Sequence, residues 1–246
     1  MKPQYCIVIP NYNHGDVIED TITSLIKFSL PIILVDDGSE PLTQKVLSKI
    51  NENYAEVLLL RRDKNGGKGA AVNTGLVKAY EMGITHALQI DADGQHDLAD
   101  VDTMLAESRS NPKALISGRP IYDDSISKGR YYGRFITHFW VWIETLSLQI
   151  KDSMCGFRVY PLEAYAELIK QVNLGTRMDY DIEVMVRLFW QGVNVRFIAT
   201  KVHYPEGGVS HFNALQDNWL ISKMHSKLFF GMLVRLPALL FRRSNR

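Results

Sequence analysis

The sequence predicts an α/β protein: a mostly parallel sheet with helices on both faces, followed by an amphipathic helical segment at the C-terminus. Three observations carry this. Over the first hundred residues, short β-branched apolar runs alternate with stretches of helical period, the pattern of strands joined by crossover helices. Each apolar run stops at a polar, turn-forming cluster, which marks the strand ends. At 246 residues and 46% apolar content, the chain can bury a full core as one domain.

Strands are read at 5–9, 32–35, 56–60 and 87–90. Between them, 17–28 places Ile18, Ile22, Leu25 and Ile26 on one stripe, and 70–82 does the same with Leu76, Ala79 and Tyr80. The first half therefore reads βαβαβαβ. Asp97 suits a helix N-cap, with Asp100 and Asp102 in the turns behind it. Further on, the sequence predicts a strand at 114–117, an aromatic helix near 135–150, and a helix at 182–190 followed by the run VNVRFIATKVHY. No internal repeat, low-complexity tract or Pro/Ser-rich linker interrupts the chain, so a single domain over 1–246 is expected, in segments 1–100, 101–212 and 213–246.

Composition excludes several classes. The formal net charge of +1 leaves no basic footprint for nucleic acid and no acidic tail. Cys6 and Cys155 lack disulfide or zinc-ligand spacing, and the seven histidines show no H-x-x-x-H pair. The start MKPQYCIVIPNYN has no secretory pattern, so a cytosolic location is the expectation. No uncharged apolar window reaches the ~18 residues a spanning helix needs, so the chain is not expected to cross a membrane. The nearest segments, 135–150 and 228–243, are interrupted by His138 and Glu144 and by Arg235 and Pro237.

Ligands of open α/β sheets collect beyond the carboxyl ends of the strands. The residues there are Pro10-Asn11-Tyr12-Asn13, Asp36-Asp37-Gly38-Ser39, Asn65-Gly66-Gly67-Lys68-Gly69 and Asp91-Ala92-Asp93-Gly94-Gln95. Asp91 and Asp93, two apart at a strand end, lean to the same side and repel unless a cation joins them. A hard divalent ion, Mg²⁺ or Mn²⁺, suits such oxygen ligands, with Gln95 adding a carbonyl; the alternative is a solvated turn. Asp37 beside Gly38 could accept from a base N–H; the alternative is an ordinary strand-to-loop turn. Lys68 opens a helix among glycines, a layout that suits a diphosphate, although Gly69 in place of Ser or Thr excludes a Walker A loop. In MDYDIEVMVRLFWQG, a helix starting by Asp179 puts Asp179 and Glu183 on one face and Asp181 elsewhere, whereas an extended segment aligns all three.

In order, VIPNYN, VDDGS, NGGKGAAVNTG, DADGQHD, DSMCGFRVY and MDYDIEVMVRLFWQG resemble the family 2 glycosyltransferases of GT-A fold, over roughly residues 5–212. The subgroup resembled is that of dolichyl- or polyprenyl-phosphate mannose synthases, in a bacterial branch associated with envelope lipids. The resemblance implies a nucleotide-sugar half at 1–100, an acceptor half at 101–212, and an inverting hexosyl transfer. Pro10 and Tyr12 would border the base with Asn13 beside them, and Asp37 would read uracil or guanine. Asp91 would lie at the ribose and metal, with Asp93 the main metal ligand and Gln95 a further one. Lys68 would sit near the donor phosphates; Arg119, Arg130 or Arg134, and Arg158 would line the donor and acceptor phosphates. Asp181, Glu183 and Asp152 are the catalytic candidates, with Asp181 or Glu183 as base.

The implied chemistry is coherent. Breaking an anomeric carbon to phosphate bond leaves a nucleoside diphosphate, whose growing charge a cation and basic side chains stabilise. A hydroxyl acceptor needs a base, whereas a phosphate acceptor is already an anion. The implied partners are a UDP- or GDP-sugar and a lipid, lipid-linked or envelope-glycan acceptor, with polyprenyl phosphate as one candidate. Relatives using lipid phosphates often carry an R-x-x-G-x-S-K-like element; here HYPEGGVSHF places His203 and His211 where cations are expected. After Asp217 no acidic residue follows, while Lys223, Lys227, Arg235, Arg242, Arg243 and Arg246 lie among apolar residues, a composition for peripheral attachment to the cytoplasmic face of the cell membrane; the alternative is an amphipathic helix that closes the core. Two rivals are a catalytically silent nucleotide-sugar binder or membrane scaffold, and a sugar-nucleotide pyrophosphorylase. The second would need a G-G-x-G-T-R-like loop where this chain has PNYNHGD.

Overall fold

The computed structural model describes residues 4–122, 128–202 and 212–244. The first half runs β1 (Tyr5–Asn11), α1 (Ile18–Ile26), β2 (Ile32–Asp36), α2 (Pro41–Asn53), β3 (Val57–Arg61), α3 (Lys68–Glu81) and β4 (His86–Gln89). Every residue of β1 and β2 is buried, as expected of parallel strands covered on both faces. Alternation sends Tyr5, Ile7 and Ile9 to one core and Cys6 and Val8 to the other. The first core is closed by α1 through Ile18, Ile22 and Leu25 and by α2 through Leu47 and Ile50. The second is closed by α3 through Val72, Leu76 and Ala79. α2 begins with Pro41 directly after extended Glu40, the position where a missing N–H is harmless.

A 3₁₀ turn at Leu98–Asp100 leads into α4 (Val101–Ser110), and Asp97 caps that turn by accepting from Ala99 N at 3.0 Å. Then come β5 (Leu115–Tyr122), α5 (Lys128–Thr145), β6 (Arg158–Pro161), α6 (Leu162–Gln171), α7 (Tyr180–Trp190), β7 (Val195–Val202) and α8 (Ala214–Ser244). One seven-stranded sheet takes the order β3-β2-β1-β4-β6-β5-β7, parallel except where β6 inserts antiparallel between β4 and β5. This reversal matters for the site. Arg158, the first residue of β6, pairs with Gln89, the last of β4, so the loop before β6 arrives at the carboxyl end of β4.

Several expectations shift. The aromatic helix lies at Lys128–Thr145 rather than 135–150, extending through a Gly- and Tyr-rich run of poor helix formers and stopping before Leu146, which has φ +49°. β6 and α6 fall where the sequence reading named only a motif, because a four-residue central strand is too short to show a period. Asp179 is the N-cap residue of α7, so the helical alternative holds and Asp181 diverges from Glu183. Within α8, Ala214–Phe241 is long and apolar enough, by length and composition alone, to cross a membrane, although Arg235 and Pro237 interrupt its apolar run. Its inner stripe, Met224, Leu228 and Met232, is buried, and His225 Nδ1 lies 2.7 Å from Glu144 Oε1 of α5. His203, His211 and Arg246, and the side chains of Arg130, Arg242 and Arg243, lie outside the described residues.

Candidate active site at the carboxyl ends of the strands

A cleft of about 920 Å³ opens over the ends of β1, β2, β3 and β4 and is closed on its far side by α5, the loop before α7 and the start of α8. Its near wall is made by strand-end loops. Pro10 and Asn11 end β1 and Tyr12 follows it, Asp37 follows β2, Asn65 and Gly67 precede α3 and Lys68 opens it, and Asp91, Asp93 and Gln95 follow β4. Asn13 does not line it. In the left-handed region at φ +57°, its amide donates to Ser39 Oγ and its Oδ1 accepts from Glu40 N, which ties the β1 loop to the β2 loop.

Asp37 organises the glycine-rich loop. Its carboxylate accepts from Gly66 N at 3.0 Å and Gly67 N at 2.8 Å, and pairs with Arg62 Nε at 2.7 Å. Gly67 is required here: at φ +97°, an added Cβ would lie 2.5 Å from Thr176 O and 2.7 Å from Arg177 Cγ. The loop before α7 thus packs directly on the loop before α3.

Lys68 sits at the centre of the charge distribution. Its Nζ lies 2.7 Å from Asp91 Oδ2 and 3.1 Å from Asp181 Oδ2. Burial alone would lower its pKa, but Asp181 and Asp91 more than reverse this and hold it above the ordinary lysine value. Burial likewise pushes Asp91 up, and Lys68 with His96 overrides it, so the carboxyl stays well below the usual range. Gly156 of the loop before β6 allows this crowding, since an added Cβ would stand 2.6 Å from Asp91 Oδ2 and 2.7 Å from Lys68 Nζ.

The catalytic candidates separate. Asp181 joins the Lys68 cluster, with Oδ1 3.8 Å from Arg158 Nη1. Glu183 turns away from the cleft: its carboxylate is 2% exposed and closed by Gly175 N, Arg187 and Lys227. Glu183 thus stands apart from the cleft walls, whereas Asp181 adjoins Lys68. Asp152 anchors the far wall. Its Oδ1 accepts from Met154 N and Cys155 N, and its Oδ2 holds Arg134 Nη2 at 2.6 Å, with His138 Nε2 at 3.5 Å. Burial alone would raise the Asp152 pKa; His138 and Arg134 bring it well below the usual carboxylate range.

Among the arginines, Arg134 lines the cleft. Arg158 does not. Wholly buried, it donates to Asp181 O at 2.7 Å and Ser153 O at 2.8 Å, so it braces the loop and α7 rather than meeting a phosphate. Arg119 is exposed on β5 and is absent from the cleft walls.

Asp91, Asp93 and Gln95 all reach the cleft and offer only oxygen donors. Asp93 Oδ1 accepts from Gln95 N at 3.1 Å. Among the described residues no three His, Cys, Asp or Glu side chains converge to hold a metal unaided. Two carboxylates and an amide oxygen fit a hard cation that completes its shell with water and substrate phosphates.

The sequence reading passed over four features. Both buried polar atoms of the Asn11 side chain lack a partner and face the cleft. His96, stacked on Phe157 with centroids 5.2 Å apart, brings Nε2 to 3.5 Å from Asp91 Oδ2. Arg177 lines the cleft, and Asn218 and Ile221 reach it from α8. Asn11 and His96 lie within the quoted strand-end motifs; Arg177 and the α8 residues carry no local signal.

Comparison with known proteins agrees with this geometry. The profile of glycosyl transferase family 2 matches residues 6–168. The dolichyl-phosphate beta-glucosyltransferase of Dictyostelium discoideum is 25% identical over 249 residues, covering 93% of this chain and 74% of the relative. The UDP-N-acetylglucosamine–dolichyl-phosphate N-acetylglucosaminyltransferase of Methanococcus voltae is 26% identical over 216 residues, covering 81% and 86%. These relatives are named for glucose and N-acetylglucosamine, not for the mannose of the subgroup anticipated above. A Pyrobaculum calidifontis mannosyltransferase solved with GDP-Man and Mn²⁺ superposes with a TM-score of 0.59 at 15% identity, covering 96% of this chain and 65% of that structure. At that identity the likeness shows the fold, which is GT-A.

Proposed function

The chain belongs to glycosyl transferase family 2, and from that premise we propose that it transfers a sugar from a nucleoside-diphosphate sugar to a polyprenyl-phosphate acceptor, with inversion and with a divalent cation. The observation that carries this is the two-walled cleft. One wall presents Asp37, Lys68, Asp91 and Asp93 from strand-end loops, and the other presents Arg134 and Arg177 beside Met154, Met178 and Ile221. A nucleotide sugar suits the first wall, and an anion with an apolar tail suits the second. The names of the two relatives, both acting on dolichyl phosphate, support the same acceptor class.

In this reading Asp37 fixes the glycine-rich loop against the donor, and Lys68 exchanges Asp91 for the diphosphate while keeping Asp181. Asp91, Asp93 and Gln95 hold Mg²⁺ or Mn²⁺, which supplies charge neutralisation at the leaving diphosphate. Asp181 is the one acid of the α7 group beside the donor cluster. A hydroxyl acceptor would use it as base, whereas a phosphate acceptor attacks as an anion and leaves Asp181 the task of orienting Lys68. The exposed side of α8, with Trp219, Phe230, Val234 and Phe241, and the aromatic side of α5, with Phe135 and Phe139, rest on the cytoplasmic membrane face, where such an acceptor resides.

The test is transfer of label from a panel of UDP- and GDP-sugars into the organic phase of a lipid extract, with Mn²⁺ or Mg²⁺. Metal-dependent transfer that is lost in Asp93→Asn supports the proposal. Metal-dependent release of nucleoside diphosphate without organic label rejects the lipid acceptor, and no cleavage of any donor favours a silent binder.

A further inference from the structure

Arg177 is the cleft arginine whose support by a distant helix the reaction scheme above does not explain. It belongs to the loop between α6 and α7, yet it is held by α8, forty residues later in the chain. Arg177 Nε donates to Asp217 Oδ1 at 2.7 Å and Nη2 to Asp217 Oδ2 at 3.3 Å, a two-point contact. The Asp217 side chain is wholly buried, whereas that of Arg177 keeps 24% of its surface exposed and lines the cleft. Asp217 Oδ2 also accepts from Asn213 N at 2.7 Å, so the carboxylate is fixed to the first turn of α8.

Burying a carboxylate is costly unless its oxygens are satisfied, and this one meets that condition through an arginine facing the cleft. Asp217 is the sole acid of α8. The same first turns send Asn218 and Ile221 into the cleft wall. Across the loop, Arg177 Cγ sits within reach of the Gly67 position, beside the glycine-rich loop and Lys68. A planar guanidinium fixed on one edge by a carboxylate presents its other edge in a set orientation, a geometry suited to phosphate oxygens.

We propose that Arg177 binds a phosphoryl group of one of the two reactants, and that Asp217 is its positioning residue, so that the C-terminal helix completes the active site. The inference rests on the glycosyltransferase reading for the identity of the reactants. Two sources share the chemistry, the donor diphosphate and the acceptor phosphate.

The experiment measures binding of three probes by calorimetry, UDP and GDP with Mn²⁺ and farnesyl phosphate alone, to the full chain and to Arg177→Gln, Arg177→Lys, Asp217→Asn and the double variant Arg177→Gln/Asp217→Asn. Loss of a charge-assisted phosphate contact weakens a probe about ten- to a hundredfold. If Arg177→Gln weakens the nucleotides, the group is the donor diphosphate; if it weakens only farnesyl phosphate, the group is the acceptor phosphate. Arg177→Lys recovers part of the loss. A positioning role for Asp217 requires that Asp217→Asn raise the Kd of that same probe, and that it add nothing once Arg177 is gone. Unchanged binding of all three probes by Arg177→Gln, with an unaltered melting temperature, overturns the proposal. An additive double variant overturns the role of Asp217. Donor cleavage by the wild-type chain is assayed in parallel: its absence rejects the glycosyltransferase reading, while the binding results decide Arg177 separately.

Discussion

The two walls of the cleft are built in different ways. The near wall consists of short loops, each leaving the end of its own strand, and its groups are held largely by backbone amides and by neighbours within the same α/β half, as Asp37 is by Gly66, Gly67 and Arg62. On the far wall each described arginine is held by a buried carboxylate from another element. Arg134 of α5 is held by Asp152 before β6, and Arg177 before α7 by Asp217 of α8. The strand ends position charge through topology; the helical wall positions it through paired side chains. Substitutions on the first wall should therefore disturb chemistry directly, and those on the second should act through the partner.

The largest effect is expected at Asp93, which no cationic side chain among the described residues neutralises in the manner of Asp91 and Lys68. Asp93→Asn should lower metal-dependent transfer roughly a hundredfold or more, read as initial rate against metal concentration. An unchanged rate would mean that this wall holds no cation.

Next is Gly156→Ala, which adds a methyl group against Asp91 and Lys68. A displacement of about 1 Å at reacting groups lowers rates on the order of a hundredfold. Here kcat/KM should fall by about ten- to a hundredfold while circular dichroism and melting stay close to wild type. Retained activity would show that the Lys68 cluster moves aside freely.

Arg134→Met probes the helical wall. The folded pKa of Asp152 lies below its unfolded value of 3.8, so its contribution to stability is full above that value and is lost as the pH falls below it. Removing Arg134 should flatten the decline of melting temperature below about pH 4 and raise KM for a lipid-phosphate acceptor several-fold with little change for the donor. A pH profile identical to wild type would separate Arg134 from Asp152.

The smallest kinetic effect is expected on the outer face of α8. The triple variant Trp219→Ser, Phe230→Ser, Val234→Ser should leave donor cleavage within about twofold, since exposed substitutions away from the packed stripe change stability little. Flotation with anionic vesicles should be lost. Flotation equal to wild type would remove α8 from the membrane contact.

Sequence reading succeeded where local chemistry and chain order suffice. The alternation of buried runs with helical stripes specified the parallel half, and the polar clusters after each run located Asp37, Lys68, Asp91 and Asp93, because strands of a parallel sheet deliver their carboxyl ends to one edge. It was less informative from residue 101 onward. The four residues of β6 are too few to show a period, and their antiparallel insertion is what carries Asp152 and Gly156 to the end of β4. Glu183 and Asp181 are two residues apart and equivalent as sequence, yet on a helix they point to different surroundings, one closed by Lys227 and Arg187 and the other paired with Lys68.

By itself, then, the amino-acid order determined the sheet class, the family and the polar groups at the strand ends, since these depend on periodicity and on turn chemistry. Only the tertiary structure decided which acids and arginines face the cleft. Burial and pairing between distant elements set that choice, and neither leaves a trace in local sequence: Arg158 is spent inside, while Arg177 is kept in the cleft by a carboxylate forty residues away.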